Sequence, residues 1–463
     1  MTAAAGSTYK YRERLAGRSI RLLRLEKEAE SGDDVIRCSL EHHPLDGDVQ
    51  FFALSYVWGQ NQGLPSSQIV CDGQACIVGH NLFQALEHLR IKWGQVAIWI
   101  DALCINQGDT EEKTEQVRMM RDIYDRASLV IVWLGRGTDR DILGWQFAER
   151  LWAARKYHDE EVPLSINGLR LSSLHRLSAD TLAIPQELLN NHDEEWAALA
   201  ALLSREWFTR VWVIQELLVA RQAVFLCGLT KIDANLLLYP AYAAKVNTSV
   251  KTRLSMTEGN IDDPKRAAAN LAGLYFMAGP HGKHNFRLVT LLDTTRNSRA
   301  TDLRDKVFAL VGLTQDTSRD IISYGLTEEE AVTGLQEGIL QTDISLNALA
   351  RVDVSSLRSR AKLPSWVPNW TRPDCQVKIM DEIVRSIEEN TAYAPRDGRA
   401  IRAEYRTQVQ IQNRVPKKHH HRAHSVKLLI QHLQGFNRRR NDSRPHPISD
   451  YIRSVFLRGK TGL

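Results

Sequence analysis

Six side chains that hydrogen-bond or stack well fall in two short segments, residues 55–58 and 101–107. They are Ser55, Tyr56, Trp58, Asp101, Asn106 and Gln107, here called the edge cluster. Each segment follows a predicted buried strand, and ligands of open α/β sheets bind beyond the carboxyl ends of the strands. A carboxylate, amides, hydroxyls and an indole together suit a sugar or nucleotide ligand. The same residues also suit structural roles, in which Asp101 caps the next loop and both amides satisfy backbone groups.

Another candidate is the carboxylate of Glu216, which follows Trp212 by four residues on a predicted helix. Residues four apart share a helix face, so the indole and the carboxylate are expected to point the same way. A carboxylate near a ribose stabilises an oxocarbenium-like transition state, and an indole stacks on a ring or a cation. Arg205 nearby suits a phosphate. The alternative is structural: an ion pair of Glu216 with Arg205 or Arg210 at the start of the helix.

Several other kinds of site are not indicated by the sequence. We find neither G-x-x-x-x-G-K-[ST] nor G-x-G-x-x-G, the patterns that bind nucleotide phosphates. The six cysteines show no C-x-x-C pair and no zinc-ligand spacing, which predicts reduced, buried thiols, no metal and no cofactor. Cys71 and Cys76 flank Asp72 and Gly73, so they are placed to face each other across a predicted hairpin turn.

Hydrophobic patterning predicts the elements that hold these residues. Residues 96–100 (VAIWI) and 129–134 (LVIVWL) read as buried strands. Between them, Asp109 and Glu112 resemble a capping box at the start of a helix with an apolar stripe. A strand–helix–strand unit is almost always parallel, and strands buried on both faces need helices on both sides. The predicted fold class is α/β, a doubly wound parallel sheet.

Composition changes along the chain divide it into four predicted regions. Residues 1–49 form a lead-in with short strands, and residues 50–230 form the α/β domain with an insertion around 136–193. Residues 231–375 are mainly helical. Residues 376–463 are a poorly specified basic tail rich in His and Arg, either solvated and disordered or a divergent end.

Charge and hydropathy argue against nucleic-acid binding by the main body, membrane insertion and secretion. Residues 399–463 hold 15 Lys or Arg and 3 Asp or Glu, a net charge of +12 within a chain of +5. The preceding residues are therefore acidic overall, which disfavours nucleic-acid binding by the main body. No apolar run approaches the roughly 18–20 residues of a membrane helix. The first residues lack an apolar core typical of a secretory signal, so a cytoplasmic protein is expected.

Three blocks of sequence resemble the heterokaryon incompatibility (HET) domain of filamentous fungi. They are residues 53–59 (ALSYVWG), 98–107 (IWIDALCINQ, continuing to 135) and 205–216 (REWFTRVWVIQE). Residues 302–313 (DLRDKVFALVGL) and 363–370 (LPSWVPNW) look like segments that commonly follow that domain. Beyond residue 380 the chain departs from the family pattern. The resemblance implies a role in fungal non-self recognition and programmed cell death.

The third block also resembles the signature helix of TIR domains, in which a Glu follows a Trp by four residues. This resemblance implies a TIR-like fold for residues 50–230. Some TIR domains cleave NAD⁺ at the nicotinamide–ribose bond with that Glu as the catalytic residue. It therefore implies catalysis by Glu216, with NAD⁺ as substrate and Trp212, Arg205 and the edge cluster as substrate-binding residues.

Two functions of different class follow from these expectations. One is an NAD⁺-cleaving death effector switched on by self-association or by another incompatibility protein. The other is a signalling scaffold that acts through homotypic or partner contacts without turnover. An accessible Glu216 beside Tyr56 or Asp101 favours the enzyme, whereas a buried Glu216 paired with Arg205 favours the scaffold.

Overall fold

Short apolar segments form one sheet of nine strands in the part of the chain that the structure describes. The computed structural model describes residues 9–26, 35–58, 66–93, 96–154, 184–255, 263–278, 286–342 and 370. The strands are β1 (Ser19–Leu25), β2 (Arg37–Pro44), β3 (Phe52–Tyr56), β4 (Ser67–Cys71), β5 (Gln74–Val78), β6 (Ala97–Trp99), β7 (Leu129–Trp133), β8 (Ala223–Cys227) and β9 (Thr230–Asp233). Their order across the sheet is β5-β4-β2-β1-β6-β3-β7-β8-β9.

The sheet is mixed, so the predicted parallel arrangement is found for only some of its strands. Its neighbouring strands β6, β3, β7 and β8 are parallel, as are β2 and β4, whereas the other pairs are antiparallel. The antiparallel pairs β4–β5 and β8–β9 are joined by two residues each, which is too short for a parallel crossover. The α/β class itself is confirmed.

The four parallel strands carry the polar residues of interest at their ends. In chain order they are β3, β6, β7 and β8, and across the sheet they run second, first, third, fourth. That order is one of the two common ones of doubly wound sheets, in which ligands bind at the point where the strand order reverses. Here that point lies between β3, which ends at Tyr56, and β7.

Helices occupy most of the remaining described chain. They are α1 (His80–Trp93), α2 (Asp101–Cys104), α3 (Thr110–Arg126), α4 (Asp139–Ala153), α5 (Gln186–Leu189), α6 (Asp193–Leu203), α7 (Trp212–Leu218), α8 (Ala234–Val246), α9 (Thr248–Arg253), α10 (Pro264–Ala278), α11 (Leu288–Thr294), α12 (Asp305–Val311) and α13 (Glu328–Thr342). Two short 3₁₀ helices span Glu206–Thr209 and Arg319–Ile321.

Helices α1 and α3 cover opposite faces of the sheet. The indole of Trp133 contacts His88 of α1, and that of Trp99 contacts Tyr124 of α3. Trp99 pairs with Ala53 and Trp133 pairs with Tyr56, three residues further along β3. Since side chains alternate along a strand, the two indoles lie on opposite faces. The aromatic residues thus anchor a helix to each side of the parallel strands.

The predicted hairpin turn is confirmed, but its cysteines are not opposite one another. Asp72 and Gly73 both have positive φ angles, 49° and 76°, as a type I′ turn requires. Cys71 pairs with Gln74 across this turn and with Cys38 of β2, whereas Cys76 pairs with Ile69. The five cysteines among the described residues are buried and form no disulfide, as expected for reduced thiols.

Two groups of residues form separate compact units. Residues 1–315 and 322–325 make one unit, and residues 316–321 and 326–463 make the other. The described part of the second unit holds the 3₁₀ helix Arg319–Ile321, α13 and Trp370. The predicted tail, 376–463, lies outside the described residues, as do residues 155–183 of the predicted insertion. Among the helices described, none has the length and apolarity needed to cross a membrane.

Candidate active site

A line of hydrogen bonds joins the end of β3 to α7. The indole Nε1 of Trp207 donates to Ser55 Oγ at 2.8 Å, and Ser55 Oγ in turn donates to Glu216 Oε2. All three residues are buried, with at most 1% of each exposed. The first and third blocks of the sequence therefore meet at one buried carboxyl group.

Aromatic packing fixes the segment that carries Trp207. The 3₁₀ helix Glu206–Thr209 precedes α7 directly, and the rings of Trp207 and Phe208 pack against each other and against Phe225 of β8. These contacts hold Trp207 against the middle of β8, and its hydrogen bond to Ser55 links it to the end of β3. Phe208 lies in the core, as aromatic residues at helical spacing commonly do.

The carboxyl group of Glu216 has a strongly shifted pKa. Burial raises its pKa from 4.5 to about 7, and the negative charge of Asp101 acts in the same direction. The positive charge of Arg210 and the hydrogen bond from Ser55 oppose this rise. Glu216 is therefore close to half protonated at neutral pH.

Arg210 fixes the last peptide of β3. Its guanidinium donates a hydrogen bond from Nη1 to the carbonyl oxygen of Tyr56. The phenol of Tyr56 is buried, which raises its pKa well above the ordinary value. Arg210 thus acts on Glu216 through its charge while its contact is with the backbone beside Ser55.

Trp58 and Asp101 of the edge cluster form a hydrogen-bonded pair. Trp58 Nε1 donates to Asp101 Oδ1 at 2.7 Å, and that oxygen also accepts from the backbone N–H of Ala102 at 2.8 Å. Desolvation raises the pKa of Asp101, against the opposing effects of Arg210 and of the Trp58 hydrogen bond. Trp58 is 39% exposed, so part of its indole is open to solvent at this edge.

The two amides of the edge cluster bond within their own loop. Gln107 Nε2 donates to the carbonyl oxygen of Asp101 at 3.0 Å, and Asn106 Oδ1 accepts from the backbone N–H of Gly108 at 3.2 Å. The backbone N–H of Asn106 donates to Glu112 Oε1 at 2.8 Å. These contacts match the structural role that the sequence left open, and they shape the loop that presents Asp101.

Arg205 and Trp212 contact groups other than Glu216. Arg205 donates to Asp141 Oδ1 and to the carbonyl oxygen of Leu134, both at 2.7 Å. The alternative ion pair of Glu216 with Arg205 is therefore wrong, because Asp141 of α4 takes that guanidinium. Trp212 shares α7 with Glu216, but its indole hydrogen-bonds to the carboxyl group of Asp305 on α12.

Sequence reasoning missed how Trp207 and Arg210 act. Trp207 was given no individual role, and its hydrogen bond to Ser55 connects it to Glu216. Arg210 was considered as an ion partner, and its bond to the Tyr56 carbonyl was not anticipated. The signal available was their place in the unusual block 205–216, which held polar and aromatic residues without a role.

A small hollow lies beside the segment that leads into α7. Phe208, Thr209 and Ile214 line one side of it, and Arg266, Asn270 and other residues of α10 and the 294–299 segment line the rest. Glu216 does not border this hollow. We locate the candidate chemistry at Glu216 because the shifted carboxyl and its hydrogen bonds are there.

Comparisons with known proteins find a family model and a relative that match this chain. Residues 51–216 match the family model described as Heterokaryon incompatibility protein (HET), a span that begins at β3 and ends at Glu216. The chain is 28% identical over 395 residues to the Neurospora crassa protein named Heterokaryon incompatibility protein 6, OR allele. The aligned part covers 76% of this chain and 57% of that relative, so the chain spans little more than half of the relative's length. No solved structure matches the chain.

Proposed function

Because this chain is a HET-domain protein, with the domain over residues 51–216, we propose that it is an effector of fungal non-self recognition that cleaves NAD⁺. In this proposal the domain is TIR-like, which the strand order of β6, β3, β7 and β8 supports. Loss of NAD⁺ then causes the cell death that limits fusion between incompatible hyphae. The relative's name, Heterokaryon incompatibility protein 6, supports the biological part.

The observation that carries the proposal is the buried Glu216 carboxyl with a pKa raised to about 7 at the carboxyl ends of parallel strands. Strongly shifted carboxyl groups cluster at catalytic sites, because burial and partners tune them to their task. Structural ion pairs also shift carboxyl pKa values, but they lower them, and Glu216 has the opposite shift.

Cleavage of the nicotinamide–ribose bond suits such a carboxyl group. The bond to the nicotinamide nitrogen breaks and leaves positive charge on the ribose carbon, and water adds there to give ADP-ribose, nicotinamide and a proton. Ionised Glu216 stabilises the developing charge. The exposed indole of Trp58, held by Asp101, offers a stacking surface for a planar ring.

Glu216 is only 1% exposed, so turnover requires a rearrangement that admits the ribose. Self-association or contact with another incompatibility protein is the proposed trigger. Such a trigger keeps a toxic activity silent until an incompatible partner is met.

The same burial favours a second candidate function, a signalling scaffold without turnover. In that case the hydrogen bonds of Trp207, Ser55 and Glu216 serve to hold α7 against the sheet. Homotypic or partner contacts then transmit the signal, and the shifted carboxyl is a by-product of burial.

Expression of the full chain in fungal cells separates these candidates. Wild type is compared with Glu216→Gln and with Glu206→Gln, a matched control because Glu206 is an exposed carboxylate of the adjacent 3₁₀ helix. The enzyme predicts death and a fall in cellular NAD⁺ for wild type and the control, and neither for Glu216→Gln. Death with unchanged NAD⁺ would instead identify the scaffold.

A further inference from the structure

The hydrogen bond between Trp207 and Ser55 has only one direction. An indole N–H donates and cannot accept, so Ser55 Oγ is the acceptor at 2.8 Å. The hydroxyl has a single proton of its own, and its other hydrogen-bonding partner among the described residues is Glu216 Oε2. The proton of Ser55 is thereby directed at the carboxyl group.

We propose that Trp207 and Ser55 are positioning residues, in which the Trp207 N–H orients the Ser55 hydroxyl so that it donates to Glu216 and favours the ionised carboxylate. The consequence for catalysis rests on the proposed NAD⁺ cleavage, whereas the orientation of the hydroxyl does not. A hydroxyl free to rotate would spend part of its time accepting from protonated Glu216, which favours the opposite form.

The charges around Glu216 show why the Ser55 hydroxyl affects the ionisation of this carboxyl group. Arg210 attracts the ionised form, and Asp101 on α2 repels it. Tyr56 of β3 and Tyr124 of α3 also lie near, but both phenols have raised pKa values and are neutral at pH 7. With these two charges opposed and burial disfavouring ionisation, the Ser55 hydrogen bond is a substantial part of what favours the carboxylate.

The other helices packed on α7 direct their charges elsewhere. Asp305 of α12 accepts from the Trp212 indole and from Tyr324, at 2.6 Å for the tyrosine. Arg266 of α10 lines the hollow beyond Phe208. Lys306 of α12 donates to the carbonyl oxygen of Arg296 at 2.8 Å.

Infrared titration of the full chain tests the proposal without any need for activity. The C=O stretch of protonated Glu216 is identified by its loss in Glu216→Gln and is followed against pH. We expect the midpoint to rise by about one pH unit in Ser55→Ala and nearly as much in Trp207→Phe, since a hydrogen bond to a charged group is of this order. Because Trp207 acts through Ser55, the double variant should match Ser55→Ala alone.

A control variant and two contrary outcomes complete the infrared test. Trp196→Phe is the matched control, because it also removes a buried indole N–H, here bonded to the Leu188 carbonyl, and it should leave the Glu216 midpoint unchanged. A midpoint that moves in Ser55→Ala but not in Trp207→Phe would overturn the role of Trp207. No movement in Ser55→Ala, which remains a test if Trp207→Phe fails to fold, would overturn the whole proposal.

The pH profile of nicotinamide release separates this inference from the proposed function. If the chain cleaves NAD⁺, the activity that depends on ionised Glu216 should appear at a higher pH in Ser55→Ala than in wild type. This shift should equal the shift of the infrared midpoint. An infrared shift without any nicotinamide release would retain the hydroxyl orientation and reject the enzyme.

Discussion

At the residue scale, the candidate site centres on one buried carboxyl group, that of Glu216. Glu216 lies where burial disfavours its charge, and no salt bridge to Arg205 offsets that burial, because Arg205 is paired with Asp141. Such a group destabilises the folded protein whenever it is ionised. Its position beside Ser55, near the end of β3, therefore lowers stability and is explained by the proposed catalytic role.

The raised pKa of Glu216 predicts how stability depends on pH. Between pH 4.5 and about 7 the folded protein keeps a proton that the unfolded chain releases, so stability falls as pH rises through this window. The contribution is about 3 kcal/mol, since each pKa unit is about 1.4 kcal/mol. Relative to wild type, Glu216→Gln should gain several degrees in melting temperature between pH 5 and pH 8. The melting temperature of Glu206→Gln should follow that of wild type across this pH range. If the melting temperature of Glu216→Gln also follows wild type, the pKa of Glu216 is not raised.

The exposed indole of Trp58 predicts a loss of binding without a loss of stability. If the ring stacks on substrate, Trp58→Ala should weaken binding of NAD⁺ to the Glu216→Gln protein roughly fivefold, since an aromatic contact contributes about 1 kcal/mol. The melting temperature should change little, because Trp58 is 39% exposed. Calorimetric titration measures the affinity, with Ile91→Ala on the exposed face of α1 as control. Equal affinity in both variants would remove Trp58 from the site.

At the element scale, a buried ion pair joins β1 to α3. Arg21 donates from Nη1 and Nη2 to the two carboxylate oxygens of Glu112, at 2.6 and 3.0 Å, and both residues are almost fully buried. Burial raises the pKa of Glu112, but the bonds from Arg21 and from the backbone of Asn106 and Leu15 outweigh it and lower the pKa. Glu112 therefore also fixes the loop that carries Asn106 and, five residues earlier, Asp101.

Removal of one partner of this pair should be strongly destabilising. Glu112→Gln or Arg21→Met leaves a charge buried without its partner, and each should lower stability by about 3–5 kcal/mol. Replacing both by apolar residues should recover much of the loss. Arg24→Met is the matched control, since the Arg24–Glu41 pair is half exposed and exposed pairs contribute at most about 1 kcal/mol. Thermal unfolding of the four proteins checks this, and equal losses in Arg24→Met and Arg21→Met would contradict it.

The sequence predicted elements better than it predicted side-chain partners. Apolar patterns correctly predicted β6, α3 and β7, and Asp109 caps α3 as expected. These features depend on residues close together in sequence, which is why the sequence alone predicts them. Glu112 was assigned to a capping box and instead reaches Arg21 across the fold. The amide of Asn81, at the start of α1, likewise donates to the Val57 carbonyl and accepts from Trp133 of β7. Partners distant in sequence decide such side chains.

At the scale of the whole molecule, residues that follow the matched domain pack against the candidate site and fix its position. The backbone of Arg299 bonds to both Thr209 and Val211, on either side of Arg210. Asp305 of α12 accepts from Trp212, and Tyr324 bonds to Asp305 and to Thr114 of α3. These contacts explain why residues 1–315 and 322–325 form one compact unit.

This arrangement predicts where the chain can be shortened. A protein ending at residue 230, the boundary suggested by the sequence, loses every contact of α7 with α10 and α12 and should be insoluble or lack a cooperative melting transition. A protein ending at residue 325 keeps them and should melt close to the full chain. Calorimetry of the two proteins measures this, and cooperative unfolding of the shorter one would show that α7 needs no support from the later helices.

Release of nicotinamide from NAD⁺ by the purified full chain tests the central claim most directly. The measurement covers a range of protein concentrations, with and without fungal cell extract to supply an activating partner. The account predicts release by wild type and Glu206→Gln, and a loss of at least a hundredfold in Glu216→Gln, as expected when a charge-stabilising group is removed. Equal release by Glu216→Gln, or no release by wild type under any of these conditions, would contradict it.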